Sequence, residues 1–149
     1  MNKSYFNTLI ISLTLLFTCL PLSSQDITGK WETIDDDSGE ARSVIEIYKG
    51  DNGRYYGKVV EIFPEPGEDP NPVCTECSTD DPRYNQPILG MVIIKGLEKQ
   101  NSEYRGGKIL DPETGNEYNC RMKTEDGKLH VRGFLGFSLI GRTQIWLPY

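Results

Sequence analysis

Cys74-Thr75-Glu76-Cys77 is the sharpest chemical feature of the sequence. Two thiols at this spacing can exchange with other disulfides, supply half of a metal site, or close on each other. Exchange chemistry favours a thiol at a helix N-terminus, where the dipole lowers its pKa. Here Ser78-Thr79-Asp80-Asp81-Pro82 follows. Those carboxylates and that proline neither open such a helix nor stabilise a thiolate. A zinc site needs further donors, and Cys120 and His130 are the obvious candidates. A Cys74–Cys77 disulfide is the default in an oxidising compartment, with Cys120 left as a small buried hydrophobe. His130 is the only histidine. No Ser-His-Asp or Cys-His arrangement can be built around it if Cys120 and His130 face opposite sides of one hairpin. Asp35-Asp36-Asp37-Ser38-Gly39-Glu40 lacks the alternating ligand spacing of a calcium loop and reads as a solvated turn. No catalytic residue, no metal and no cofactor is therefore assigned.

The elements that position these groups read as short strands. The first runs Thr28 to Ile34, followed by Ser43 to Tyr48, Tyr55 to Phe63, Ile88 to Leu97, Tyr104 to Leu110, Tyr118 to Glu125, Lys128 to Leu135 and Arg142 to Leu147. Turn chemistry separates them, notably Asn52-Gly53, Asp111-Pro112-Glu113-Thr114-Gly115 and Asp126-Gly127. About eight evenly spaced strands without a convincing helix mean an all-β antiparallel up-and-down barrel or a sandwich. A closed sheet must join its first and last strands, so Gly29-Lys30-Trp31 and the stretch from Arg142 to Trp146 are candidates for the seam.

One hairpin predicts its own faces. With Asp126-Gly127 as a two-residue turn, Met122 lies opposite Val131, Lys123 opposite His130 and Thr124 opposite Leu129. Tyr118, Cys120, Met122, Thr124, Leu129, Val131 and Gly133 then face inward, and Asn119, Arg121, Lys123, Glu125, Lys128, His130 and Arg132 face water. Residues 64–87 are different: six of the nine prolines, several acids and both cysteines of the pair lie there. A loop of that length is uncommon inside a compact domain and is functional or poorly ordered. The apolar run Phe137-Ser138-Leu139-Ile140, between Gly136 and Gly141, is expected to pack over a barrel end as a plug or lid.

Composition sets the compartment and excludes some partners. Lys3, the uncharged run from Leu9 to Leu20, Pro21 and Leu22-Ser23-Ser24 have the layout of a secretory signal peptide over residues 1–24. Acylation at Cys19 is the alternative, and Phe17-Thr18 before it fits that processing poorly. One domain, residues 25–149, is expected to follow, exported to the periplasm or beyond. The chain carries a formal charge of −6, and loss of Lys3 with the leader leaves −7. That balance argues against nucleic acid as a partner, since phosphate binding needs a basic surface. No later stretch is long and apolar enough to span a membrane.

Several segments taken together resemble the bacterial secreted family called Domain of Unknown Function 2147. They are Gly29-Lys30-Trp31, Tyr56-Gly57-Lys58-Val59, Cys74-x-x-Cys77, Asn85 to Met91, Gly107 to Pro112, Val131 to Gly136 and Gly141 to Trp146. The match covers essentially the whole chain after the leader and implies no established activity. Gly29, Trp31 and Arg142 are also similar to the lipocalin-like (calycin) barrels. That resemblance implies an antiparallel barrel closed at one end by Arg142 packed across the Trp31 ring, here without the C-terminal helix. By fold analogy it implies a small apolar or amphipathic ligand, with Tyr118, Met122, Leu129 and Val131 contributing to the wall and the Cys74–Cys77 loop at the mouth. The alternatives are a solid barrel whose acidic loop contacts another envelope protein, and a thiol or metal protein centred on Cys74 and Cys77.

Overall fold

The computed structural model describes residues 26–137 and 139–149. The expected signal peptide lies outside the described residues. Eight strands follow one another: β1 (Gly29–Ile34), β2 (Ala41–Lys49), β3 (Tyr55–Ile62), β4 (Val92–Gln100), β5 (Glu103–Leu110), β6 (Glu117–Glu125), β7 (Lys128–Phe134) and β8 (Gly141–Pro148). Each pairs antiparallel with the next, and β8 returns to β1 to close an up-and-down barrel. The described residues contain no α-helix.

The β6–β7 hairpin has the register its alternation demands. Met122 faces Val131, Lys123 faces His130 and Thr124 faces Leu129. Asp126 (φ 51°) and Gly127 (φ 73°) both take the left-handed conformation of a tight hairpin turn. Cys120, Met122, Leu129 and Val131 are buried, while Lys123, Glu125 and Lys128 are exposed. A one-residue slip would exchange these two sets, so burial fixes the register. Elsewhere one strand begins later than the apolar pattern suggests. Ile88 to Met91 belong to the connection before β4, because Gly90 turns there at φ 87°. The amides of Gly90 and Val59 instead bond to Val59 O and Met91 O.

Even-numbered closure makes the two barrel ends unlike. The β2–β3, β4–β5 and β6–β7 turns lie at one end, the base, with both chain ends of the barrel. The other end carries the remaining connections, including the long one over residues 63–91. The base is filled. Ile27, Trp31, Ile47, Tyr55, Leu97, Tyr104, Met122 and Leu129 are buried there. Tyr55 and Tyr104 meet edge to face at 4.8 Å, a preferred aromatic geometry. Trp31 Nε1 donates to Ile27 O at 2.8 Å, so the buried indole keeps its hydrogen bond.

The seam is short. Trp31 pairs with Pro148 and Glu32 with Leu147, and the Tyr149 amide donates to Lys30 O at 3.1 Å. Arg142 does not pack across Trp31. Because β8 runs antiparallel to β1, its first residues meet the end of β1, and Trp31 faces the last of β8. Arg142 instead forms an ion pair with Asp36, just beyond β1, at the opposite end of the barrel. Closure at the base therefore comes from Trp31, Ile27 and the aromatic pair.

Candidate open-ended cavity

Above the filled base the barrel is hollow. A cavity of about 830 Å³ opens between the connections of the upper end. Its wall includes Val59, Ile62, Ile93, Ile109, Leu110, Tyr118 and Trp146. This size and lining are those of small-molecule sites, which are concave and mostly apolar with a few placed polar groups. The lining has uncharged polar groups, Thr33, Ser43 and Gln144, besides charged ones. Thr33 and Ser43 hydroxyls bond each other at 2.8 Å across β1 and β2. Gln144 Oε1 accepts from Trp146 Nε1 at 3.4 Å.

The long connection forms much of the mouth, through Pro64, Glu68, Asp69, Pro72 and Ile88. It has no regular period, yet it is tied down at several points. Cys74 and Cys77 form a disulfide, and both are buried in the hydrophobic core. Cys74 N donates to Gln86 O and Asn85 N to Cys74 O, each at 3.0 Å, beside the Val73–Pro87 bridge. Arg83 grips Asp81 with two nitrogens, at 2.8 and 2.5 Å, and reaches Glu117 of β6 at 2.8 Å. That guanidinium holds the Asp81 carboxyl well below the usual carboxylate range. The β5–β6 turn clamps the connection from the other side. A Cβ on Gly115 would fall 1.8 Å from Glu76 O, and Gly115 has φ +71°, so both space and backbone require glycine.

Charge gathers at the rim. Arg42 Nη2 donates to both carboxylate oxygens of Glu68 at 3.0 Å, and Nη1 lies 2.9 Å from Glu65. These bonds depress the Glu68 carboxyl, the Arg42 contact first and the Glu65 amide second. Asp35 Oδ1 accepts from the amide and hydroxyl of Ser38 at 2.7 and 2.8 Å. Asp35 thus holds a turn, and Asp36 pairs with Arg142.

The sequence-picked residues divide between the two ends. Tyr118 lines the cavity. Met122, Leu129 and Val131 do not. They face inward as expected but belong to the packed core, because their positions on β6 and β7 lie nearer the base. Arg142 lines the mouth rather than closing the base. Cys120 is buried and free, and burial pushes its thiol up to about 12. His130 lies on the outer face of β7, with Nε2 3.9 Å from Glu125. Among the described residues no three acidic, cysteine or histidine side chains gather as a metal site. Phe137 and Leu139 do not pack as a plug. Phe137 is 86% and Leu139 90% exposed, while Leu135 and Ile140 border the mouth. Phe137 and Leu139 turn their side chains to solvent instead of into the barrel.

Sequence reasoning missed Thr33, Ser43 and Gln144. The signal was present as a break in alternation. Each occupies an inward phase, beside Trp31, Ile45 and Trp146 on the same strands, and each is polar where the base half is apolar. Arg42 carried no such signal, since its role depends on where the connection lays Glu65 and Glu68.

Residues 29–147 match the model of a family described as "Uncharacterized protein conserved in bacteria (DUF2147)". A solved structure with the same fold is that of protein HP1028 from the human pathogen Helicobacter pylori, described as belonging to the lipocalin family. It has a TM-score of 0.69 and 20% sequence identity over 83% of each chain. No curated protein matches this chain.

Proposed function

The chain belongs to the DUF2147 family of bacterial proteins, and we propose that it is a non-enzymatic carrier or sensor that holds a small apolar or amphipathic molecule in its barrel. The observation that carries this reading is the cavity of about 830 Å³ with Val59, Ile62, Ile93, Ile109 and Trp146 in its wall. An apolar molecule seated against this wall would gain the close packing contacts that the base makes within itself. A lipocalin-like fold is compatible with this and does not by itself assign it. The buried disulfide and the leader-like first residues favour export to the periplasm or beyond, where such pairs persist.

Native mass spectrometry of the protein released from its own cells without denaturant tests the reading. An organic adduct that leaves on denaturation is the expected result. A bare mass, together with failure of the purified protein to take up any apolar probe, contradicts it.

A second reading has its own observation. Phe137 and Leu139 stand in solvent between β7 and β8, and exposed apolar side chains of this kind often mark protein contacts. In that case Phe137→Ser with Leu139→Ser would abolish a partner contact while leaving ligand uptake unchanged.

A further inference from the structure

The charge around the mouth narrows the class of molecule that the cavity would take. This step rests on the carrier reading above. Five carboxylates line the cavity: Asp35, Glu68, Asp69, Asp111 and Glu113. Two cations, Arg42 and Arg142, line it as well. Each cation is already ion-paired with a carboxylate. Arg42 is held by Glu65 and by both oxygens of Glu68, with Glu113 at 4.0 Å. Arg142 is held by Asp36. Asp69 and Asp111 spend hydrogen bonds on nearby backbone amides, which leaves their charge in place. The lining therefore keeps a net negative charge after its internal pairs are formed.

Apart from these seven side chains the lining is uncharged. Ile62, Ile93, Ile109 and the rings of Tyr118 and Trp146 carry no charge. A fatty-acid-like anion that placed its tail there would leave its carboxylate among five others, and like-charge contact of this kind is costly. A cationic head at the same height would meet complementary charge, and the aromatic rings beneath would favour it further. We infer that the cavity selects amphipathic cations: an apolar body seated against Trp146 and Tyr118, with an ammonium-type head among the rim carboxylates.

The test uses displacement of N-phenyl-1-naphthylamine, a neutral fluorophore, from the full exported chain by decyltrimethylammonium and by decanoate, both below micelle formation. In about 0.01 M salt the cation should displace the probe at a concentration at least about ten-fold lower than the anion. The gap should shrink in about 1 M salt, where rim charge is screened. It should also shrink in the Asp69→Asn, Glu113→Gln variant, whose thermal melting serves as a check on folding. Decanoate displacing as well as or better than the cation would overturn the inference while leaving the carrier reading intact. Uptake of neither the fluorophore nor either amphipath would overturn both.

Discussion

The two ends of this barrel are built from the same strands and differ in what those strands turn inward. At the base the inward positions are Trp31, Ile47, Tyr55, Leu97, Tyr104, Met122 and Leu129, large and apolar, and they fill the space. At the mouth the same phase carries Thr33, Ser43, Gln144 and Arg142. Hydroxyl, amide and guanidinium groups cannot be buried there without partners, and they do not close the interior as aromatic rings do. The base is held by packing. The mouth is held by a disulfide, backbone bonds and ion pairs. Cohesion of the first kind gives stability, and that of the second leaves room for a ligand.

The widest separation between the ends should appear in stability. Trp31→Ala removes a buried indole and its bond to Ile27 O, and should cost about 3–5 kcal/mol in urea denaturation. A loss below about 1 kcal/mol would mean that the base is not the structural half. Cys74→Ala with Cys77→Ala releases a crosslink spanning three positions. Loop-closure entropy for so short a ring gives about 2 kcal/mol. The barrel should stay folded, and faster amide exchange should be confined to residues 63–91.

Titration should open the two ends in opposite directions. Glu68 and Asp81 are held below their ordinary values of 4.5 and 3.8, chiefly by hydrogen bonds from Arg42 and Arg83. Their contribution is present above those values and is lost as pH falls through the depressed ones, so acid loosens the mouth. Tyr55 and Tyr104 are raised above 10.0, first by burial. Their contribution is present below that value and is lost as pH rises, so alkali loosens the base. Isoleucine methyl NMR should show Ile62 and Ile88 changing first in acid, and Ile27 and Ile47 first in alkali. Both ends changing together in acid would erase the distinction. The smallest effect is expected at the rim. Phe137→Ser alters a side chain already in solvent and should shift stability by no more than about 0.5 kcal/mol.

How much of this was legible in the sequence follows the same division. The β6–β7 hairpin could be read to the residue, because period-2 alternation and an Asp-Gly turn specify one register. The eight strands were legible for the same local reasons, while their pattern alone left barrel and sandwich open. The mouth was not. Tyr118 is on the cavity wall, but Met122, Leu129 and Val131 share its phase and pack in the core. Phase tells inside from outside and says nothing about height along the barrel axis. Arg142 shows the other limit. A short Gly-x-Trp and Arg pattern pointed to one closure contact, whereas the antiparallel run of β8 puts Arg142 beside Asp36. The connection over residues 63–91 has no period to read, and its order comes from tertiary ties such as Arg83 to Glu117 and Gly115 under Glu76.

The central claim is that the open end, and not the base, accepts an apolar molecule. Saturable binding of N-phenyl-1-naphthylamine tests it most directly, in the natural chain and in two variants. Gly133→Leu places a side chain into the cavity, where a Cβ meets Tyr118 at an ordinary 3.5 Å. Tyr104→Phe alters only a hydroxyl at the base. The account predicts saturable binding in the natural chain and in Tyr104→Phe, and its loss in a folded Gly133→Leu. Binding that survives Gly133→Leu unchanged, or that the natural chain never shows, would contradict it.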